Sequence, residues 1–169
     1  MSLEMIKEKL PESAKDIKLN LSGLFNITNL NKDQLYGTLY ASALASQSKE
    51  LADAILSEGQ QHVDDSVFTA AAGANSLMAM NNVYYRFVHS VSDDEYSKMP
   101  AQLRMNFMSN PGVDKIDFEM FATAISAING CAYCMDTHVK ILRKKGIDKA
   151  QIQNIIRIAA TIKATAVSL

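Results

Sequence analysis

Helix-breaking residues are scarce in this chain, and their scarcity limits its possible folds more than any other feature. Only 7 glycines and 3 prolines occur among 169 residues, whereas alanine, leucine, lysine, glutamate and methionine are plentiful. Runs of β-branched residues with period-two alternation are hard to find, so the pattern does not favour strands. The common residues are strong helix formers. We therefore predict an all-α fold.

One domain accommodates a chain of this length. The hydrophobic fraction of 48% is sufficient to build a sizeable core from 169 residues. We predict a compact multi-helix single domain that spans residues 1–169.

Capping and breaking residues divide the chain into helices. In the first two thirds, predicted helices begin near Pro11, Asn31, Ser48, His62 and Pro100. Asn31 has a glutamine three residues later, which is the pattern of a capping box. The helix from His62 to Phe87 is the longest and is expected to be the central buried one. The helix that starts at Pro100 is predicted to be short and to end near residue 108.

Capping and breaking residues in the last third of the chain predict three further helices. Asp117 is the predicted N-cap of a helix over residues 118–128, which Asn129-Gly130 interrupts. A second helix is predicted from about residue 131 to residue 145, and Asp148 opens the last one.

Two segments of the chain resemble each other. Residues 39–59 and 121–146 each read as an alanine-rich helix, a break, and an amphipathic helix that ends at a glycine. Only the second segment contains cysteine or histidine. The pattern indicates a duplicated helical hairpin in which only the second copy contains reactive side chains.

Charge and hydropathy restrict the classes of partner. The formal net charge is −1, from 17 basic and 18 acidic residues, so no strong field attracts nucleic acid or an anionic membrane. The first 13 residues, "MSLEMIKEKLPES", lack the apolar run of a secretory signal. No segment approaches the roughly 18 apolar residues of a membrane span. We expect a cytoplasmic protein whose partners are small molecules and proteins.

The segment "CAYCMDTH" contains both cysteines of the chain and one of its 3 histidines. On a helix, Cys134 and His138 lie within about 60° of Cys131, so the three side chains share a face. Cys134 and His138 are four residues apart, the spacing at which helical side chains touch. The start of a helix favours an anion, and hence a thiolate. A close pair of cysteines in a reducing compartment favours redox cycling or metal binding.

Glu119 is the candidate partner of His138. It is the only carboxylate between Phe118 and Cys131, and its neighbours are mostly apolar. If the break at residues 129–130 folds the two helices together, Glu119 approaches His138. A Glu119–His138 pair could then move a proton to or from a nucleophilic sulfur.

Two other interpretations of the cysteines remain open at this point. Cys131, Cys134 and His138 could bind zinc, with a fourth ligand from Glu119, His62 or His89, and so stabilise a helical interaction module without redox activity. Alternatively, the two thiols could pack as small hydrophobic groups.

These residues resemble the alkyl hydroperoxidase D family, part of the carboxymuconolactone decarboxylase-like superfamily of helical proteins. The resemblance is strongest in "FEMFATAISAINGCAYCMDTH", where a glutamate precedes the CxxC motif and its histidine. Further similar segments cover most of the chain: "LPESAKDIKLNLS", "QLYGTLYASA", "MAMNNVYYR" and "LRMNFMSNPGVDKIDFE".

The resemblance implies a homotrimer with thiol-dependent peroxidase and disulfide reductase activity toward organic hydroperoxides. It implies no bound cofactor or metal. The reductant would be dihydrolipoamide, the lipoyl group carried by a dihydrolipoamide acyltransferase. Electrons would pass on to a partner peroxiredoxin, the peroxiredoxin-type alkyl hydroperoxide reductase. By position, Cys131 and Cys134 would form the redox disulfide, and Glu119 and His138 the proton relay.

The chain departs from the family at Tyr133, where members often have a histidine immediately before the second cysteine. The lactone decarboxylation that names the superfamily does not require a dithiol, so we expect peroxide reduction instead. The contact with His138 favours Cys134 as the attacking thiol, whereas the position at the helix start favours Cys131. We expect Cys134 to attack and Cys131 to resolve the intermediate.

Overall fold

Helices make up the regular secondary structure of residues 2–169, which are the residues that the structure, a computed structural model, describes. There are nine α-helices in this part of the chain, joined by turns and short 3₁₀ segments: α1 Leu3–Lys9, α2 Lys15–Gly23, α3 Lys32–Ala45, α4 Lys49–Gly59, α5 Asp65–Val88, α6 Glu95–Lys98, α7 Lys115–Ile128, α8 Ala132–Lys144 and α9 Lys149–Ser168. The predicted all-α fold is confirmed. None of these helices is both long and apolar enough to cross a membrane.

The predicted capping residues begin three of the helices. Asn31 and Asp148 each form a complete capping box with the glutamine three residues later, and the Ser48 side chain accepts a hydrogen bond from the backbone N–H of Leu51. Each of these contacts satisfies a backbone donor that the first turn of a helix leaves free.

The predicted cap at Asp117 is wrong. Helix α7 begins after Asp114, whose carboxylate accepts a hydrogen bond from the backbone N–H of Ile116 at 2.7 Å. Asp117 lies within the first turn and is buried. Its carboxylate accepts a hydrogen bond from Nε2 of Gln34 at 2.9 Å and so connects α7 to α3.

The predicted helix from Pro100 to residue 108 is also wrong. Residues 100–105 are irregular, with Gln102 at a φ of 52°, and a 3₁₀ segment follows at Asn106–Ser109. The Phe107 ring occupies the space beside Gly73 of α5, where a larger residue would have a side chain. Packing of this segment against α5 therefore overrides its local helix propensity.

Helices α3 and α7 lie side by side in the centre, and both pack against α5 and α9. Gly37 of α3 allows the Phe121 ring of α7 to approach its backbone closely. The buried apolar residues of these helices form one continuous core.

The predicted pair of helical hairpins is present. Helices α3 and α7 each have 14 residues, each is followed by a three-residue connection, and a shorter helix follows. The middle residue of both connections has a positive φ, at 60° for Gln47 and 70° for Gly130. The third residue caps the next helix, and it is Ser48 in the first hairpin and Cys131 in the second. A cysteine thus occupies the position of a capping serine.

Candidate active site

The two cysteines lie at the start of α8. Cys131 is the N-cap residue, and its Sγ accepts a hydrogen bond from the backbone N–H of Cys134 at 3.3 Å. The two sulfurs form a disulfide, with the Cα atoms 5.3 Å apart. Because unpaired backbone N–H groups surround a helix N-terminus, this position favours a thiolate when the disulfide is reduced.

Glu119 of α7 contacts His138 of α8, as the sequence predicted. The imidazole Nδ1 lies 2.6 Å from Oε2 of Glu119. Both side chains are largely buried, with exposed fractions of 7% for His138 and 14% for Glu119. A hydrogen bond from Nδ1 to an ionised carboxylate requires the proton to be on Nδ1, because such a carboxylate can only accept, and in that tautomer Nε2 is the nitrogen that can exchange a proton.

Hydrogen bonds from α5 support the connection between α7 and α8. Asn82 is buried, its Nδ2 donates to Oγ of Ser126, and its Oδ1 accepts from Nδ2 of Asn129, both at 3.0 Å. Arg86 donates to the backbone carbonyl of Asn129 at 2.7 Å. The backbone N–H of Cys131 donates to the carbonyl of Ser126 at 3.0 Å. These bonds fix the turn that directly precedes the CxxC motif.

A cavity of about 220 Å³ opens beside the disulfide, between α5, α8 and the segment before α7. Cys134 and His138 both line it. Cys131 does not, and it is fully buried, whereas Cys134 is 5% exposed. The other residues that line the cavity are mostly apolar or aromatic: Met78, Asn81, Tyr85, Met105, Met108, Tyr133 and Thr137. Cys134 is therefore the sulfur that a small molecule in this cavity can reach.

Three aromatic rings stack beside this cavity. The rings of Tyr133 and His89 lie face to face with centroids 3.7 Å apart, and Tyr85 stacks on Tyr133 at 5.6 Å. Tyr133 is thus in ring contact with the C-cap residue of α5. His62 lies elsewhere and stacks on Tyr36 at 5.0 Å.

The structure offers no support for the zinc interpretation. Within residues 2–169, no group of three or more histidine, cysteine, aspartate or glutamate side chains is arranged to bind a metal. Zinc binds cysteine as the thiolate, and here both sulfurs are joined in a disulfide.

Sequence reasoning missed most of the cavity wall. Asn81 and Met105 contact each other across 24 residues, and no local pattern indicated that contact. Met105 also belongs to the segment that was wrongly predicted to be helical. The run "MAMNN" on α5 offered one signal, since an asparagine pair within an apolar helix needs buried hydrogen-bond partners.

A larger, open cavity of about 730 Å³ lies between α2 and α9. Its polar lining comprises asparagines, threonines and Arg157, without cysteine, histidine or carboxylate. It therefore lacks the groups for nucleophilic or proton-transfer chemistry that the smaller cavity contains.

Comparison with known proteins identifies the family. Over all 169 residues, the chain is 48% identical to the alkyl hydroperoxide reductase AhpD of Gluconacetobacter diazotrophicus, 93% of which is covered. It is 49% identical to the AhpD of Maricaulis maris, with 98% covered, and 47% identical to that of Brucella abortus, with 97% covered. The chain belongs to the AhpD family.

A family model agrees with these relatives. The model of the carboxymuconolactone decarboxylase family matches residues 94–169 of this AhpD-family chain. The matched part includes α7 and α8, and hence the disulfide and the Glu119–His138 pair. Asn81 and Tyr85, which come from α5, lie outside it.

Proposed function

We propose that this protein is a thiol-dependent alkyl hydroperoxide reductase that cycles between a Cys131–Cys134 dithiol and disulfide. The proposal rests on one observation above all: Cys134 and His138 line the same cavity, and Glu119 holds the imidazole. A nucleophile and an oriented acid–base group therefore face one space. The AhpD relatives named as alkyl hydroperoxide reductases support the choice of substrate.

In the proposed reaction, the Cys134 thiolate attacks the terminal oxygen of a hydroperoxide, ROOH. The O–O bond breaks and Cys134 becomes a sulfenic acid. The leaving alkoxide takes from Nε2 of His138 the proton that Nε2 accepted when the Cys134 thiol became a thiolate, which gives ROH. The Cys131 sulfur then attacks the sulfenic sulfur, which forms the disulfide and expels water. Two thiols are oxidised, one peroxide is reduced, and the disulfide is the oxidised end of the cycle.

The reductant and partners proposed here rest on the family resemblance. Dihydrolipoamide, carried by the lipoyl domain of a dihydrolipoamide acyltransferase, would reduce the disulfide and become a cyclic disulfide itself. The chain would act in the cytoplasm as a homotrimer and would also reduce the peroxiredoxin-type alkyl hydroperoxide reductase. Rates with dihydrolipoamide and peroxide, compared with rates with dihydrolipoamide and oxidised peroxiredoxin, tell which acceptor is preferred.

Serine substitutions at the two cysteines test the proposed roles. Cys131→Ser should reduce one equivalent of hydroperoxide and then stop with Cys134 as a sulfenic acid, because no resolving thiol is present. Cys134→Ser should consume no hydroperoxide. Peroxide consumption and mass analysis of the trapped sulfenic acid distinguish these outcomes. With dihydrolipoamide, Cys134→Ser should not turn over, and Cys131→Ser should turn over much more slowly than wild type, because the resolving thiol must then come from the reductant.

The Cys131→Ser variant is expected to fold, because Ser48 caps the equivalent helix in the first hairpin of the same chain. Undiminished turnover in either variant would refute the dithiol cycle. If Cys134→Ser accumulated a sulfenic acid on Cys131 instead, the two roles would be reversed.

A further inference from the structure

Within residues 2–169, one residue that lines the cavity has a buried side-chain oxygen without a hydrogen-bond partner. Asn81 lines the cavity and is 6% exposed. Its Nδ2 donates to Sδ of Met105 at 3.0 Å. Its Oδ1 is buried and accepts no hydrogen bond from the part of the chain that the structure describes.

The orientation of the Asn81 amide follows from the chemistry of its neighbour. A thioether sulfur is a weak acceptor and has no hydrogen to donate. Only the NH₂ end of the amide can therefore pair with Met105, and the carbonyl end must point away from the sulfur. Met105 thus fixes which end of Asn81 remains available.

An unpaired carbonyl on a residue that lines the cavity raises the question of which donor would pair with it. Buried acceptors are paired in the great majority of cases, and leaving one unpaired costs free energy. None of the side chains around the cavity donates to Oδ1. The hydroxyl of Thr137, for example, donates to the backbone carbonyl of Tyr133 at 2.9 Å.

We propose that Asn81 positions the hydroperoxide, with Oδ1 accepting a hydrogen bond from its terminal O–H. This inference rests on the proposed function. A hydroperoxide has one O–H group at the end that the thiolate attacks, and its organic group would lie against the methionines and tyrosines of the cavity. Asn81 would therefore hold the oxygen that goes to sulfur, while His138 protonates the oxygen that leaves.

The proposed hydrogen bond is consistent with the electron and proton balance of the step. The terminal oxygen keeps its hydrogen when it is transferred, because Cys134–S⁻ and ROOH give Cys134–SOH and RO⁻. The same O–H can therefore remain bonded to Asn81 from the bound peroxide to the sulfenic acid. Asn81 neither gains nor loses a proton, so its role is to position the substrate.

The test compares two thiol reagents on the fully reduced protein. Cumene hydroperoxide carries the O–H donor, whereas methyl methanethiosulfonate reacts with thiolates and carries no O–H or N–H group. Second-order rate constants for thiol loss are measured for both reagents. Asn81→Leu should slow the reaction with cumene hydroperoxide about 3- to 10-fold, the effect of one net hydrogen bond. The reaction with methyl methanethiosulfonate should stay within about twofold, since thiolate reactivity is retained.

A matched variant controls for changes in cavity shape. Met78→Leu alters the same wall without removing an acceptor for an O–H group, so it measures how much a change of cavity shape alone slows the reaction with cumene hydroperoxide, and the loss in Asn81→Leu should exceed it. If Asn81→Leu does not fold, Asn81→Ala removes the same acceptor with a smaller side chain, and the same selective loss is expected.

The outcomes separate this inference from the function on which it rests. If cumene hydroperoxide oxidises the wild-type thiols and Asn81→Leu reacts equally fast, Oδ1 serves only an adventitious water and the positioning role is refuted. An equal slowing of both reagents would also refute it, since that result indicates a structural effect. If the wild-type thiols react with methyl methanethiosulfonate but not with cumene hydroperoxide, the proposed function itself fails.

Discussion

At the scale of single residues, the site gives its two sulfurs different environments. Cys134 borders the cavity beside His138, whereas Cys131 is fully buried as the N-cap of α8. A sulfur that must meet a bulky organic peroxide needs access, and a sulfur that only attacks its neighbour does not. The geometry therefore favours Cys134 as the attacking thiol, for a reason independent of its spacing from His138.

The Glu119 carboxylate is expected to affect the rate of peroxide reduction through its contact with His138. Glu119→Gln keeps the size of the side chain and an acceptor for Nδ1–H, but it removes the negative charge that stabilises an imidazolium. We expect peroxide reduction to fall about 10²-fold, at the lower end of what positioned proton transfer contributes. The second-order rate constant for cumene hydroperoxide reduction, measured for both proteins at one pH, checks this expectation.

Asp136→Asn is the matched control for Glu119→Gln. Asp136 is an exposed carboxylate on α8, paired with Lys140 at 2.6 Å. The rate should stay within about twofold of wild type, because exposed ion pairs contribute little. An undiminished rate in Glu119→Gln would exclude a proton-transfer role for the Glu119–His138 pair.

At the scale of helices, the close contact between α3 and α7 depends on the absence of a side chain at Gly37. A methyl group at position 37 would overlap the fully buried ring of Phe121. Gly37→Ala should therefore lower the free energy of unfolding by about 1–2 kcal/mol, since overpacking outweighs the gain in helix propensity. Chemical denaturation of the two proteins measures the difference.

Replacing Gly23 with alanine should instead raise the free energy of unfolding. Gly23 is the last residue of α2 and has a helical φ of −66°. Apart from its chain neighbours and the backbone of its own helix, no atom of residues 2–169 lies within 4 Å of the position of an added Cβ. Gly23→Ala should stabilise the protein by about 0.5 kcal/mol through reduced freedom of the unfolded chain. A stabilising Gly37→Ala would show that the α3–α7 contact is looser than the structure indicates.

Whether the sequence could predict a contact depended on how far apart the two residues lie along the chain. The caps at Asn31, Ser48 and Asp148 depend on contacts across three residues, and all three were predicted correctly. The position of Glu119 beside His138 could also be predicted, because a short break between two helices brings their side chains together. Its contact spans 19 residues of one hairpin.

Contacts between residues that are far apart in the sequence leave no pattern in the local sequence, and these contacts were not predicted. Asp117 was predicted to be a cap because it precedes an apolar run, whereas its actual partner is 83 residues away. The segment before α7 was predicted to be helical, but Phe107 packs against Gly73 and the segment stays irregular. The unpaired Asn81 carbonyl is likewise a result of tertiary packing. The sequence therefore predicted which side chains meet at the candidate site and missed most of the residues that line the cavity beside them.

At the scale of the whole molecule, the pH dependence of stability should reveal the buried carboxyl that joins α3 to α7. Burial raises the pKa of Asp117 above its usual value of 3.8, the hydrogen bond from Gln34 opposes this, and the nearby Asp114 and Asp33 add to it. A pKa that is higher in the folded state means that the folded protein binds the proton more tightly than the unfolded chain. The carboxyl thus contributes stability that is fully present below its unfolded pKa and is lost as pH rises through its folded pKa.

Asp117→Asn tests this linkage, because asparagine keeps an oxygen for Nε2 of Gln34 and cannot ionise. The free energy of unfolding of the variant, minus that of wild type, should increase as pH rises from about 4 and then level off above the folded pKa. Each unit of pKa difference between the folded and unfolded states contributes about 1.4 kcal/mol to this increase, so the plateau measures the shift. Urea denaturation at a series of pH values provides the curve. A difference that stays constant between acidic and neutral pH would mean that Asp117 ionises equally easily in both states, and a decrease would reverse the sign of its contribution.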